Sequence, residues 1–229
     1  MMREMYRIND LEQRMGMAGF RPLDVMVTGV TGAGKSSTLN AVFEKEVAAV
    51  GYGAAPQTTE TESYLLNDYF RLWDTPGLGD GVERDKIHTR KIIDLLYKDY
   101  MMDSGHYGFI DMALVLIEGS NRDMGTTYRL LNEIITPNFP VDRVLIAINQ
   151  ADAAMKGRHW DERNNRPDPV LQDYLEAQAE SVRKRVKEAT GVDVGRPVYY
   201  SAEKNYHMEE LMDSVIDRIP IQRRIFRSQ

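Results

Sequence analysis

An eight-residue run, Gly29-Val30-Thr31-Gly32-Ala33-Gly34-Lys35-Ser36, constrains this chain more than any other stretch of it. It fits G-x-x-x-x-G-K-[ST], a phosphate-binding loop that works only between a strand and a helix. The apolar run Leu23-Asp24-Val25-Met26-Val27 precedes it, and the helix-compatible Ser37-Thr38-Leu39-Asn40-Ala41-Val42-Phe43 follows. Glycines let the backbone wrap until successive N–H groups point at phosphate oxygens, and the helix N-terminus adds partial positive charge. Gly29, Thr31, Gly32, Ala33, Gly34 and Ser37 would line the phosphates. Lys35 would reach the β- and γ-phosphates, and the Ser36 hydroxyl would ligate Mg²⁺. The ligand this implies is a nucleotide.

The elements around the loop set the fold class. Ser63 to Trp73 reads as two strands about an Asn67-Asp68 turn. Met112-Ala113-Leu114-Val115-Leu116-Ile117 and Val144-Leu145-Ile146-Ala147-Ile148 are continuous apolar runs, as parallel strands covered on both faces require. Pro197-Val198-Tyr199-Tyr200 is the last strand. Helical stripes fill the gaps: Ile92/Ile93, Leu96/Tyr97 and Tyr100/Met101; Leu171, Leu175, Ala179, Val182 and Val186; then Met208, Leu211, Met212, Val215, Ile216 and Ile219. The expectation is a doubly wound α/β fold: a mostly parallel six-stranded sheet, one strand antiparallel, helices on both faces, ligand at the carboxyl ends of the strands.

Further motifs stand at those ends in order. Asp74-Thr75-Pro76-Gly77 follows the third strand, where the Asp74 carboxylate would hold Mg²⁺ through water and the Gly77 N–H would meet the γ-phosphate. Asn149-Gln150-Ala151-Asp152 follows Ile148, and Ser201-Ala202-Glu203-Lys204 follows Tyr200. In these motifs the chain resembles the translation-factor-type GTPases, whose guanine motif is N-K-x-D and whose last loop is S-A-[KL]. The resemblance implies GTP and GDP as ligands. Asp152 would accept from guanine N1–H and its amine, a donor pair that adenine lacks. Asn149 would contact the base and brace the phosphate loop, and the Ala202 N–H, beside Ser201, would donate to guanine O6.

Leu39-Asn40-Ala41-Val42-Phe43, the segment Pro56-Gln57-Thr58-Thr59 and Asp74-Thr75-Pro76-Gly77-Leu78-Gly79 narrow the resemblance to Era-type bacterial GTPases, in particular the YfjP/YeeP group. The Thr31-Gly32 pair is similar to septins and to the plastid-import and immunity-associated GTPases. The likeness covers roughly residues 20–220, the extent of a strand–helix GTPase domain. It implies that Thr59, or Thr58 in its place, binds Mg²⁺ and senses the γ-phosphate. Lys35, Thr59 and Gly77 would then carry hydrolysis. The chain departs from the pattern at several places. Gln150 replaces the Lys that covers the base, and Gly32 replaces the Asn that binds potassium in some relatives. Leu78 stands where small GTPases carry the water-orienting Gln, and Thr31 fills a position that must be small for an arginine finger. Slow turnover is expected, completed by backbone contacts at Thr59 and Gly77, by a polar residue such as Asp80 or His88, or by a group from another subunit; for His88 the favoured reading is a solvated helix residue. A GTP-dependent homodimer is therefore the alternative to a simple switch acting on a protein effector. An ATP-dependent kinase is disfavoured by Asn149 and Asp152.

Composition limits partners and compartment. The chain has 229 residues and no cysteine, which excludes disulfides and zinc-thiolate sites. Net charge −6 argues against broad nucleic-acid binding. No apolar run is long enough for a membrane span, and the charged start at Met1-Met2-Arg3-Glu4 is unlike a signal peptide, so a cytoplasmic protein is expected. The chain ends too soon for Era's RNA-binding KH domain, so a ribosome-assembly role is not expected to carry over. Residues 1–19 read as a helical extension, with Met5, Ile8, Leu11 and Met15 on one face of a Met2-to-Gly16 helix. Residues 20–220 read as the GTPase domain and 221–229 as a short basic tail with a frayed end. Lys156 to Pro169 reads as a polar insertion after the guanine motif, a plain surface loop in preference to a partner or dimer contact near the base.

Overall fold

The computed structural model describes residues 3–19, 22–48, 61–102, 105–120, 124–191 and 193–226. The expected switch threonines Thr58 and Thr59 lie outside these described residues. Strand β1 (Leu23–Gly29) leads into the phosphate loop and helix α2 (Lys35–Phe43). A hairpin follows, β2 (Glu62–Asn67) and β3 (Phe70–Asp74), then helix α3 (Val82–Tyr97). Strands β6 (Met112–Glu118) and β7 (Val144–Asn149) flank a helical stretch made of α4 (Gly125–Arg129), a π-helical segment Leu130–Ile135 and α5 (Thr136–Asn138). Helix α6 (Pro169–Thr190), strand β10 (Val198–Tyr199) and helix α7 (Met208–Ile216) complete the order, with α1 (Ile8–Ala18) preceding β1.

The six-stranded sheet runs β10-β7-β6-β1-β3-β2, and every neighbouring pair is parallel except β2 with β3. All seven residues of β1 are buried. Alternation divides the sheet's side chains between two cores. Leu23, Val25, Val27, Met112, Leu114, Leu116, Leu145 and Ala147 face α1, α2 and α7. Met26, Ala113, Val115, Ile117, Val144, Ile146 and Ile148 face α3, the π-helical segment and α6. Each buried Val, Leu, Ile or Met side chain is worth about 1.5–3 kcal/mol, which explains why the continuous apolar runs of β6 and β7 sit inside the sheet, covered on both faces. Helix α6 is the longest because its ends are well signalled. The Asp168 carboxylate accepts the Leu171 N–H at 3.0 Å, Pro169 opens the first turn, and Gly191 closes the last at φ 75°.

Four expectations are corrected. Tyr100 and Met101 do not extend α3; the helix stops at Tyr97, and both lie in β4 (Asp99–Met102), which pairs antiparallel with β5 (Gly105–Gly108). Helix α1 starts at Ile8, after Arg7 in a left-handed conformation, so Leu11 and Met15 are buried while Met5 sits in a separate 3₁₀ turn and is 50% exposed. The insertion is not a plain loop: β8 (Trp160–Asp161) and β9 (Arg166–Pro167) form a short hairpin. The described part of the basic tail, residues 221–226, is docked rather than frayed. Arg224 donates to the Leu96 carbonyl at 2.7 Å and the Ile110 carbonyl at 3.0 Å, and its guanidinium lies 5.1 Å from the Phe139 ring. A methyl added at Gly108 would fall 2.2 Å from that guanidinium carbon, so the glycine makes room for it.

Candidate nucleotide-binding site

Every motif that the sequence placed at a strand end comes to the same edge of the sheet. β1 ends at Gly29, β3 at Asp74 and β7 at Asn149, and all run in one direction. A side chain at Gly29 would collide with the Leu116 carbonyl at 2.5 Å, so the loop can turn away from β1 only at a glycine. Gly34 at φ 80° leads directly into α2, whose first turn carries no side-chain cap. This is the place at which helices that bind phosphate present their N–H groups to the anion.

Lys35 lies within this loop, 8% exposed. Its Nζ donates to the Val30 carbonyl at 3.0 Å and to Gly29 at 3.4 Å. Burial pulls its pKa down to about 8, partly offset by the carboxylates of Asp74 and Asp80. An incoming phosphate would restore the charge that burial disfavours. A methyl on Gly77 would sit 2.8 Å from Lys35 Nζ and 2.5 Å from Thr31 Oγ1, so the third-strand motif closes against the loop. The Ser36 hydroxyl lies 3.4 Å from Asp74 Oδ2, and Asp74 is 1% exposed. A hydroxyl and a carboxylate side by side fit Mg²⁺, which favours oxygen donors and takes few from protein when phosphates supply the rest. Among the described residues no group of three or more His, Cys, Asp or Glu forms a metal site of its own.

The second strip of the site is tied down partly by Asp85 and Arg129, which the sequence did not single out. Leu78 pairs with Val30 as an isolated parallel bridge, with Thr31 N–H donating to the Leu78 carbonyl at 2.7 Å. The Leu78 side chain is fully buried in the core under α3, so this position is turned away from the phosphates. The Thr31 hydroxyl donates to Asp80 at 2.7 Å. Asp85 accepts from the Gly79 and Asp80 N–H groups at 2.8 and 3.2 Å and pairs with Arg129 at 2.5 Å. His88 corrects its reading as a solvated residue. It is 5% exposed, and its Nδ1 hydrogen-bonds the Gly77 carbonyl at 2.7 Å. One turn of α3 separates Asp85 from His88, which puts both on the face that meets the loop.

On the base side, Asn149 joins two segments distant in sequence. Its Nδ2 donates to the Ala33 carbonyl at 3.0 Å, and its Oδ1 accepts the Ala202 N–H at 3.1 Å. A methyl on Gly34 would overlap the Asn149 amide at 2.2 Å. Gln150, left-handed at φ 60°, donates from Nε2 to the Gly32 carbonyl at 2.9 Å and so adds a second brace to the phosphate loop. Asp152 Oδ1 is buried and accepts no hydrogen bond among the described residues. Ser201 is fully buried; its hydroxyl accepts the Lys204 N–H at 3.0 Å. The structure thus brings together Gly29, Thr31, Gly32, Ala33, Gly34, Lys35, Ser36, Asp74, Gly77, Asn149, Asp152, Ser201 and Ala202, with Ser37 in the first turn of α2.

Residues 24–150 match the family model described as 50S ribosome-binding GTPase. The protein YfjP of Escherichia coli K12 is 28% identical over 146 residues, which make up 63% of this chain and 46% of YfjP. The chain therefore spans about half the length of the curated relatives it matches. Among solved structures, Era of Aquifex aeolicus bound to GDP·AlF₄⁻ superposes with a TM-score of 0.58 at 19% identity, covering 88% of this chain and 58% of that one. Toc33 of Arabidopsis thaliana in complex with GDP and Mg²⁺ superposes at 0.65 and 17% identity, covering 95% and 91%. These two likenesses show a shared GTP-binding fold. Among the described residues no helix is long and apolar enough to cross a membrane.

Proposed function

This chain belongs to the 50S ribosome-binding GTPase family, and from that premise we propose that it binds GTP with Mg²⁺ and hydrolyses it to GDP and phosphate. In this reading residues 20–220 are the working unit, a slow nucleotide-dependent switch of the cytoplasm that signals to a protein effector. The observation that carries it is the Asn149 bridge, one side chain holding the phosphate loop at Ala33 and the last loop at Ala202, beside a buried Asp152 oxygen that lacks a donor. A guanine supplies two donors on the edge Asp152 would read; an adenine leaves that carboxylate buried and unpaired.

Each residue then has a task. The N–H groups of Gly32 and of Gly34 to Ser37 would cradle the phosphates, and Lys35 would neutralise the β- and γ-oxygens. When bound, Mg²⁺ would supply positive charge beside the phosphate oxygens. Ser36 and Thr59 would ligate it directly, and Asp74 would hold it through water. The Gly77 N–H meets the γ-phosphate, and His88 orients the peptide that follows it. Ser201 holds its loop closed, and the Ala202 N–H, which donates to Asn149 Oδ1 in this structure, would turn to guanine O6 when the base binds. No step here uses a Gln at Leu78, whose side chain is committed to the core.

That commitment favours a second reading, in which GTP-gated self-assembly is the function and hydrolysis resets it. For the chloroplast translocon components Toc33 and Toc159, which share the fold, dimerization is important for the GTPase activity. Turnover against protein concentration separates the two. A flat rate per molecule near the unassisted scale of about 10⁻⁴ per second supports the switch, whereas a rise with concentration supports assembly. A fast, concentration-independent rate would defeat both, because it demands an in-cis catalytic group beyond those named.

A further inference from the structure

The insertion between the guanine motif and α6 is built to hold the last loop. Its base is closed onto the start of α6: Asp168 N–H donates to the His159 carbonyl at 2.8 Å, and His159 Nδ1 meets the Asp168 carboxylate at 2.7 Å. Its turn is folded tightly, with Asp161 accepting the Arg163 and Asn164 N–H groups at 3.0 and 3.1 Å. From this anchored frame three side chains reach the Ser201–Tyr206 loop. The Trp160 ring packs edge-on against Tyr206, with centroids 5.2 Å apart. Asn165, left-handed at φ 49°, donates from Nδ2 to the Lys204 carbonyl at 2.8 Å. Glu162 pairs with Lys204 Nζ at 2.9 Å.

Within the loop, Ser201 and Tyr206 exchange both backbone hydrogen bonds at 3.0 Å, so a grip on Tyr206 and Lys204 is passed to Ser201 and Ala202. The hairpin also packs on the base side of the guanine motif, where Trp160 and Met155 lie against Ala151, Ala154, Leu171 and Leu175. We infer that the Trp160–Pro167 hairpin is a specificity-determining buttress, which preorganises the Ser201–Ala202 loop and the Asp152 carboxylate for guanine through Asn165 and Glu162. This rests on the guanine reading given above. Preorganised groups lose less freedom when the ligand arrives, and that advantage shows mainly in how slowly the ligand leaves. Glu162 and Asn165 are positioning residues and need not touch the nucleotide.

The test uses the full chain loaded with a fluorescent GDP analogue, followed by chase with GDP or ADP. Glu162→Ala/Asn165→Gly removes both polar grips and keeps the left-handed backbone, because glycine accepts positive φ. It should release the analogue about tenfold faster, the combined scale of one hydrogen bond and one exposed ion pair lost. It should also narrow the preference for GDP over ADP in the competition, a readout that a general loss of stability does not move. Arg163→Ala, an exposed side chain on the same turn, should match wild type in both. Should the double variant fail to fold in a thermal melt, Asn165→Gly alone carries the test, with release about threefold faster. Folded variants that release GDP at the wild-type rate and keep its full base preference overturn the buttress. Wild-type protein that holds ADP as tightly as GDP overturns the guanine reading itself, and the buttress with it.

Discussion

Replacing Asn149 by Ala probes the bridge on which the site depends. The wild-type amide is 1% exposed and its two strongest hydrogen bonds are the donation to Ala33 at 3.0 Å and the acceptance from Ala202 at 3.1 Å, beside a longer donation to Gly34 at 3.5 Å. Both partners are buried, so truncation leaves a carbonyl and an N–H without their protein contacts. Each net hydrogen bond is worth about 1 kcal/mol, and each stranded buried group costs about 1–3 kcal/mol. Allowing the phosphate loop to relax, the total is about 2–4 kcal/mol. For a domain of this size each kcal/mol shifts the melting midpoint by about 2–4 °C, so nucleotide-free Asn149→Ala should melt about 4–16 °C lower. GDP affinity should fall at least about 30-fold, because the base-reading loop and the phosphate loop no longer hold one another. Asn149→Asp keeps the acceptor for Ala202 and loses the donor to Ala33, so it should fall between. Calorimetry without nucleotide and a fluorescent-GDP titration read the two quantities separately. A melting midpoint within about 1 °C of wild type, together with GDP affinity within about threefold, would refute the reasoning.

Lys35→Ala removes the charge buried among the loop carbonyls and should abolish binding of both nucleotides, whereas Ser36→Asn should weaken GTP more than GDP in Mg²⁺; wild-type GTP affinity in both variants would mean the phosphates sit elsewhere. Asp152→Asn should shift preference toward xanthine nucleotides, whose C2 oxygen accepts from an amide; competition titrations in which guanine is still preferred as before would count against Asp152 as the base reader. Burial lifts the Asp111 carboxyl to about 8. Between about pH 4 and 8 the folded state therefore holds a proton that the unfolded chain has released, and stability falls as pH rises through that window. Asp111→Asn removes this slope, so its melting midpoint relative to wild type should rise from about pH 5 to about pH 8; a constant difference would contradict a buried, protonated Asp111.

The parts legible in the sequence are those whose cause is local. A strand, a glycine-rich turn and a helix N-terminus lie within Leu23 to Phe43, where their spacing can be read, although the clashes that require glycine at Gly29 and Gly34 come from the distant Leu116 and Asn149. The buried strands are legible because burial on both faces demands continuous apolar residues, and Met112 to Ile117 and Val144 to Ile148 supply them. The motif order follows, since parallel strands all end at one edge. Tertiary structure decided what polar residues do. His88 and Asp85 look like any charged pair on an exposed helix until α3 is laid against the Gly77–Asp80 loop. Arg224 looks like a loose terminal cation until it reaches the carbonyl of Leu96, 128 residues away. Lys156 to Pro169 reads as polar and irregular, yet Asn165 and Glu162 close on Lys204. Apolar periodicity reports which face of an element is buried; a lone polar side chain carries no such period, so its partner is set only when distant segments pack together.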